Sequence, residues 1–182
     1  IDNQRKLEAR GDGVHMAPAL HRGVWMWGSP EKLTPQQTEA DLDFLAKWDI
    51  NTVYIDISDY IDYYETSDQG KKTANIGRLQ KSLRQFVEVA HRKGLAVHAL
   101  AGDTLWGYSS HAYIQKTFID FVHMYNQSVP PDGRLAGLQL DIEVYNDKSF
   151  AQNKKAALEQ YIAGVQDAVA HYQSFNGSFM LG

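Results

Sequence analysis

The chain has 182 residues, 43% of them hydrophobic and 22% charged, with a net charge of −4 and no cysteine; this is the make-up of one ordinary globular domain with a real core. No apolar run approaches the roughly 20 residues that a bilayer-spanning helix needs, and no basic block is present to neutralise phosphates, so neither a membrane span nor a nucleic-acid partner is expected. The missing cysteines exclude disulfides, thiolate metal sites and a cysteine nucleophile, and no cofactor is implied.

Residues 1–20, with Gly11, Gly13 and Pro18 among charged neighbours, show no sustained period and read as a leader, and 21–182 as the folded unit. The first residue is Ile1 rather than Met, which fits a processed or trimmed terminus; the missing cysteines leave the compartment open, and an extracellular or cell-envelope location is the expectation. A short aromatic run, Gly23-Val24-Trp25-Met26-Trp27-Gly28, ends in Ser29-Pro30 as a buried strand entering a loop does. Thr34-Pro35-Gln36-Gln37 supplies an N-cap, a proline at the first helical position and a capping-box glutamine. Leu42, Leu45 and Trp48 then recur at helical spacing, and Trp48 is expected in the core.

A second strand over 51–58 is rich in β-branched residues and puts Tyr54, Asp56 and Ser58 on one face. A loop is expected over 59–75. A second helix follows, marked by Leu79, Leu83, Phe86, Val87 and Ala90 and closed by Gly94. The third strand, 95–101, carries His98 on the same face as Ala96 and Leu100. Asp103 and Trp106 follow that strand. Ile114, Phe118, Phe121, Val122 and Tyr125 form the stripe of a third helix. After Pro130-Pro131-Asp132-Gly133 come a fourth strand over 136–144 and a long helix striped by Leu158, Ile162, Val165 and Val169. Beyond Asn176-Gly177 a fifth strand begins.

Strands alternating with helices at this spacing require a parallel sheet with right-handed crossovers. The turn after the first strand, Trp27-Gly28-Ser29-Pro30, lacks a phosphate-binding glycine fingerprint, which favours a (β/α)8 barrel over an open, doubly wound sheet. Eight such units need well over the present length, so the chain is expected to be about the N-terminal half of a barrel, from the first strand to the start of the fifth. Self-association, or pairing with a C-terminal half, is expected to cover its open edge.

Gly137-Leu138-Gln139-Leu140-Asp141-Ile142-Glu143-Val144-Tyr145 is the most informative segment. Alternation places Gln139, Asp141 and Glu143 on one face, toward the barrel interior, with Glu143 at the C-terminal rim where barrel active sites lie. Inward carboxylates are costly unless they hydrogen-bond or meet a ligand. The segment resembles the strand-four Asp-x-Asp-x-Glu signature of chitinase-like enzymes, glycoside hydrolase family 18, with Gln139 in the first acidic position. The resemblance implies that Glu143 is the general acid/base and Asp141 its partner, which orients a substrate acetamide. Two adjacent carboxylates suit this, since one then holds a proton while the other stays ionised.

The other strand ends fit the same hollow. Trp25, Trp27, Trp106 and Tyr145 offer aromatic faces to sugar rings, while Asp56, Asp103, Gln139 and His98 offer polar contacts. The expected activity is hydrolysis of a β-linked glycan, N-acetylated sugars included, with retention. If Asp141 does not assist an acetamide, a second carboxylate about 5 to 5.5 Å from Glu143 is the nucleophile. The alternatives are a non-catalytic carbohydrate-binding barrel, with Gln139 marking loss of the acidic row, and a metal-dependent hydrolase using His15, His98, Asp56, Asp103 and Glu143.

Overall fold

The computed structural model describes residues 21–175 and 179–182; the leader, His15 and the Asn176-Gly177 turn lie outside them. Five strands, β1 (Gly23–Met26), β2 (Thr52–Asp56), β3 (Ala96–Ala101), β4 (Gly137–Leu140) and β5 (Met180–Leu181), form one sheet in the order β1-β2-β3-β4-β5. Every pairing is parallel. Strictly sequential order means that every crossover runs the same way around the sheet, without the reversal that defines a doubly wound fold. The architecture is therefore α/β, with five consecutive strands of a partial parallel barrel.

Helices α1 (Pro35–Lys47), α2 (Asp59–Glu65), α3 (Gln69–Arg92), α4 (Tyr113–Ser128) and α5 (Phe150–Gln173) connect the strands. The sheet residues that face them, Val53, Ile55, Val97, Ala99 and Leu138, are buried almost completely. They meet Leu79, Leu83 and Phe86 of α3 and Phe118, Phe121, Val122 and Tyr125 of α4 in one continuous core. The capping box of α1 forms as its sequence dictates: the Thr34 amide donates to Gln37 Oε1 at 2.9 Å and the Gln37 amide to Thr34 Oγ1 at 3.2 Å. Gly94 ends α3 at φ 76°, a left-handed position that suits glycine.

Four expectations need correction. The loop over 59–75 is two helices: α2 buries Tyr60, which stacks on Phe121 with ring centres 4.0 Å apart, and α3 starts at Gln69, where Asp68 Oδ1 accepts the Lys71 amide at 3.0 Å. The first turns of α3 are exposed, so they carry no apolar stripe to read. Trp48 is not core but 64% exposed, paired with the equally exposed Phe44, because Thr38 and Leu42 occupy the buried face of α1. In α5 the buried residues are Ala157, Gly164 and Ala168, while Leu158, Ile162 and Val169 are exposed. Small residues let α5 approach α4 closely, an approach tied by Lys116–Asp167 and His171–Asp120 contacts, both 2.7 Å. The displaced stripe instead borders a cavity of about 270 Å³ shared by Val165 and Val169 with Leu140, Ile142 and Leu181.

The fourth correction bears on the site. β4 ends at Leu140, not Val144. The ladder persists for one more bond, from the Asp141 amide to the Ala101 carbonyl at 2.9 Å, and the backbone then turns through Glu143 (φ −101°, ψ 65°) into a 3-10 turn at Val144–Asn146.

Candidate functional site

The face of the sheet opposite the helices is built in layers by strand register. Trp25, Tyr54, His98 and Gly137 align across β1 to β4, and Asp56, Leu100 and Gln139 form the next layer toward the strand ends. Gly137 is required there: a side chain would collide with the His98 ring, which packs against Tyr54 with centres 5.0 Å apart. His98 is only 5% exposed, and its Nε2 has no hydrogen-bond partner among the described residues. Burial, with His21 nearby, holds its pKa below the ordinary imidazole value, so it is a neutral residue of the floor.

Above that floor the strand ends carry the acids. Asp56 Oδ1 accepts the Ser58 amide at 2.9 Å and Asp103 Oδ1 the Leu105 amide at 2.7 Å, so each carboxylate shapes the start of its own rim loop. Lys32, from the loop after β1, reaches Asp59 at 3.1 Å and is raised by that bond, with a smaller contribution from Asp56. Trp25 on β1 and Trp27, the residue just after that strand, are 43% and 66% exposed and lie edge to face with centres 5.5 Å apart. Trp106 lies apart from them: it is buried in the core against Phe118, and its carbonyl accepts from Gln115.

Asp141 and Glu143 stand where β4 gives way to the turn. Gly102, at the end of β3, lies so close that any side chain there would strike the Asp141 carbonyl, and Gly107 in the next turn likewise abuts Val144. This pins the carboxylate pair against the β3 loop. Among the described residues Gln139, in the layer below, donates to the Leu140 carbonyl at 3.3 Å. Glu143 is clamped by its own turn: Tyr145 donates its hydroxyl to Oε1 at 2.5 Å and Asn146 its amide to Oε2 at 2.6 Å. Sequence reading gave Tyr145 to the sugar and passed over Asn146; the sign available was an amide three residues after the glutamate, within reach across one turn.

Burial first and the Glu143 charge second raise the Asp141 carboxyl above the usual carboxylate range. The bond to Glu143 likewise raises the Tyr145 hydroxyl. No lysine or arginine pairs with Asp141 or Glu143 among the described residues. Nor, among the described residues, do any three His, Asp or Glu side chains gather there as a metal-ligand set.

Five consecutive parallel strands joined by helices define the class of fold: the chain is a partial parallel α/β barrel. Among solved structures it is similar to the catalytic core domain of the cellobiohydrolase Cel6A from Chaetomium thermophilum, with a TM-score of 0.50 and 13% identity, over 99% of this chain and 55% of that one. The chain thus spans about half the length of that structure, and at this identity the likeness is one of fold. No family model matches the chain, and no curated protein matches it. No described helix is long and apolar enough to cross a membrane.

Proposed function

We propose that the chain forms part of a glycoside hydrolase acting on a β-linked glycan, N-acetylated sugars included, with Asp141 and Glu143 as its acid–base pair. The observation that carries this reading is the pair itself: two adjacent carboxylates at the end of β4, without a basic partner among the described residues, one of them raised by burial. Trp25 and Trp27 offer stacking surface for sugar rings, and Asp56, Asp103 and Gln139 offer polar contacts around the same rim. The fold shared with a cellobiohydrolase core supports the reading, and the strand-four resemblance to chitinase-like enzymes widens the substrates to be tried. The test is turnover of chito- and cello-oligosaccharides by the full-length protein. Glu143→Gln and Asp141→Asn are each expected to reduce kcat by about 10²- to 10⁴-fold while leaving the circular dichroism spectrum unchanged. Undiminished turnover in both variants overturns the assignment.

Gln139 in place of an acid favours a second reading, a carbohydrate-binding surface without turnover. In that case calorimetry finds glycan affinity in the wild type and in Glu143→Gln alike, with no product from either.

A further inference from the structure

The geometry points to Asp141 as the proton donor of the pair and to Glu143 as its fixed anionic partner, the reverse of what the strand-four resemblance implies; this rests on the glycosidase reading. A general acid must present an O–H to the glycosidic oxygen. Glu143 is poorly arranged to do so, because each of its oxygens already accepts a short bond, from Tyr145 at 2.5 Å and Asn146 at 2.6 Å. Bonds of this kind are strongest to an ionised carboxylate. Nor is the clamp a matter of loop flexibility: both donors belong to the turn that follows Glu143, which the Asn146 amide closes onto the Glu143 carbonyl at 2.9 Å.

Asp141 is arranged in the opposite way. Its main chain is fixed by the Ala101 carbonyl and by the close approach of Gly102. Its carboxyl accepts no hydrogen bond from any described residue and is half-buried. Of the groups around it, β3 contributes Gly102, without a side chain, while the turn contributes Glu143 and Tyr145, the titratable neighbours whose charges interact with its own. A half-buried carboxyl beside a clamped carboxylate binds its proton more tightly than a free aspartate does.

The step follows. The Asp141 proton moves to the glycosidic oxygen as the bond from that oxygen to the anomeric carbon breaks, and the bonding electron pair leaves with the oxygen. The Glu143 carboxylate stabilises the positive charge developing on the sugar ring. Water adds to the anomeric carbon, and the proton it releases returns through solvent to Asp141, so both carboxyls end as they began.

Leaving-group dependence tests this division. 2,4-Dinitrophenyl and phenyl β-glycosides of glucose and N-acetylglucosamine serve as probes with the full-length protein, since the dinitrophenolate departs without protonation. Asp141→Asn is expected to stay within about tenfold of wild type on the dinitrophenyl glycosides and to lose about 100-fold or more on the phenyl glycosides. Glu143→Gln is expected to lose activity on both alike. The reverse pattern overturns the inference and leaves the glycosidase reading standing, whereas a wild type that cleaves none of these probes and no oligosaccharide overturns that reading. Independently of turnover, a carbon-13 carboxyl titration of the wild type should show Asp141 titrating above the ordinary aspartate range, and an ordinary value overturns the inference.

Discussion

Asp141 is a residue held at some cost to the fold. In the native chain its carboxyl binds a proton more tightly than in the unfolded chain, so native stability falls as pH rises from the unfolded aspartate value of about 3.9 through the higher folded value, and stays lowered above it. Asp141→Asn is therefore expected to melt at a higher temperature than wild type at pH 7, with the gain fading toward pH 3.9; thermal melts at the two pH values check this, and an equal shift at both refutes it. Tyr145→Phe removes one of the two bonds that hold Glu143. It is expected to lower kcat by about 10-fold with KM little changed, because the hydroxyl acts on the carboxylate rather than on the sugar; steady-state kinetics separates the two. At this scale alternation put His98 and Gln139 on the sheet face opposite the helices, where the strand register has them, whereas Asp141 and Glu143 were read as strand residues and stand just beyond the end of β4. The sequence did not reveal which tryptophans reach solvent. Trp106 and Trp48 both follow the end of a secondary-structure element, yet one is buried among α4 residues and the other is left outside by the rotation of α1. That rotation depends on packing between elements, which local sequence does not carry.

Among the elements, β1 to β4 and the capped start of α1 could be read directly, because a β-branched run and a Thr-Pro-Gln-Gln cap act within a few residues. Thr34→Ala is expected to cost about 1 kcal/mol by exposing the first amides of α1, measurable as a shifted urea midpoint. What could not be read were elements defined by their neighbours. The length of β4 is set where β3 stops offering carbonyls, at Ala101, and α2 exists because Tyr60 finds Phe121. The contact between the β3 and β4 ends is narrow enough to test. Gly102→Ala forces a methyl group into the Asp141 carbonyl, so a loss of about 1 to 3 kcal/mol is expected, together with loss of glycan turnover, because the same shift moves the carboxyl. Unaltered stability in chemical denaturation contradicts the close approach.

Across the whole molecule, the sheet has two edges, β1 and β5, each hydrogen-bonded on one side only among the described residues. Beside β5 lies the apolar cavity under α5, with Ile162 and Val169 exposed nearby. Edges and apolar surface of this kind promote association, so the 182-residue polypeptide is expected to bind a hydrophobic dye and to self-associate with concentration in sedimentation velocity. An ideal monomer that leaves the dye dark contradicts this. The paired indoles at the end of β1 have a consequence of another sort. Trp25, Trp27 and Trp48 meet solvent and Trp106 does not, so iodide should extinguish most of the intrinsic emission and leave a blue-shifted remainder from Trp106. An oligosaccharide lying along β1 would shelter the first two while Trp48, on the outer side of α1, stays open to the quencher, which makes the protein its own optical gauge of where a sugar settles.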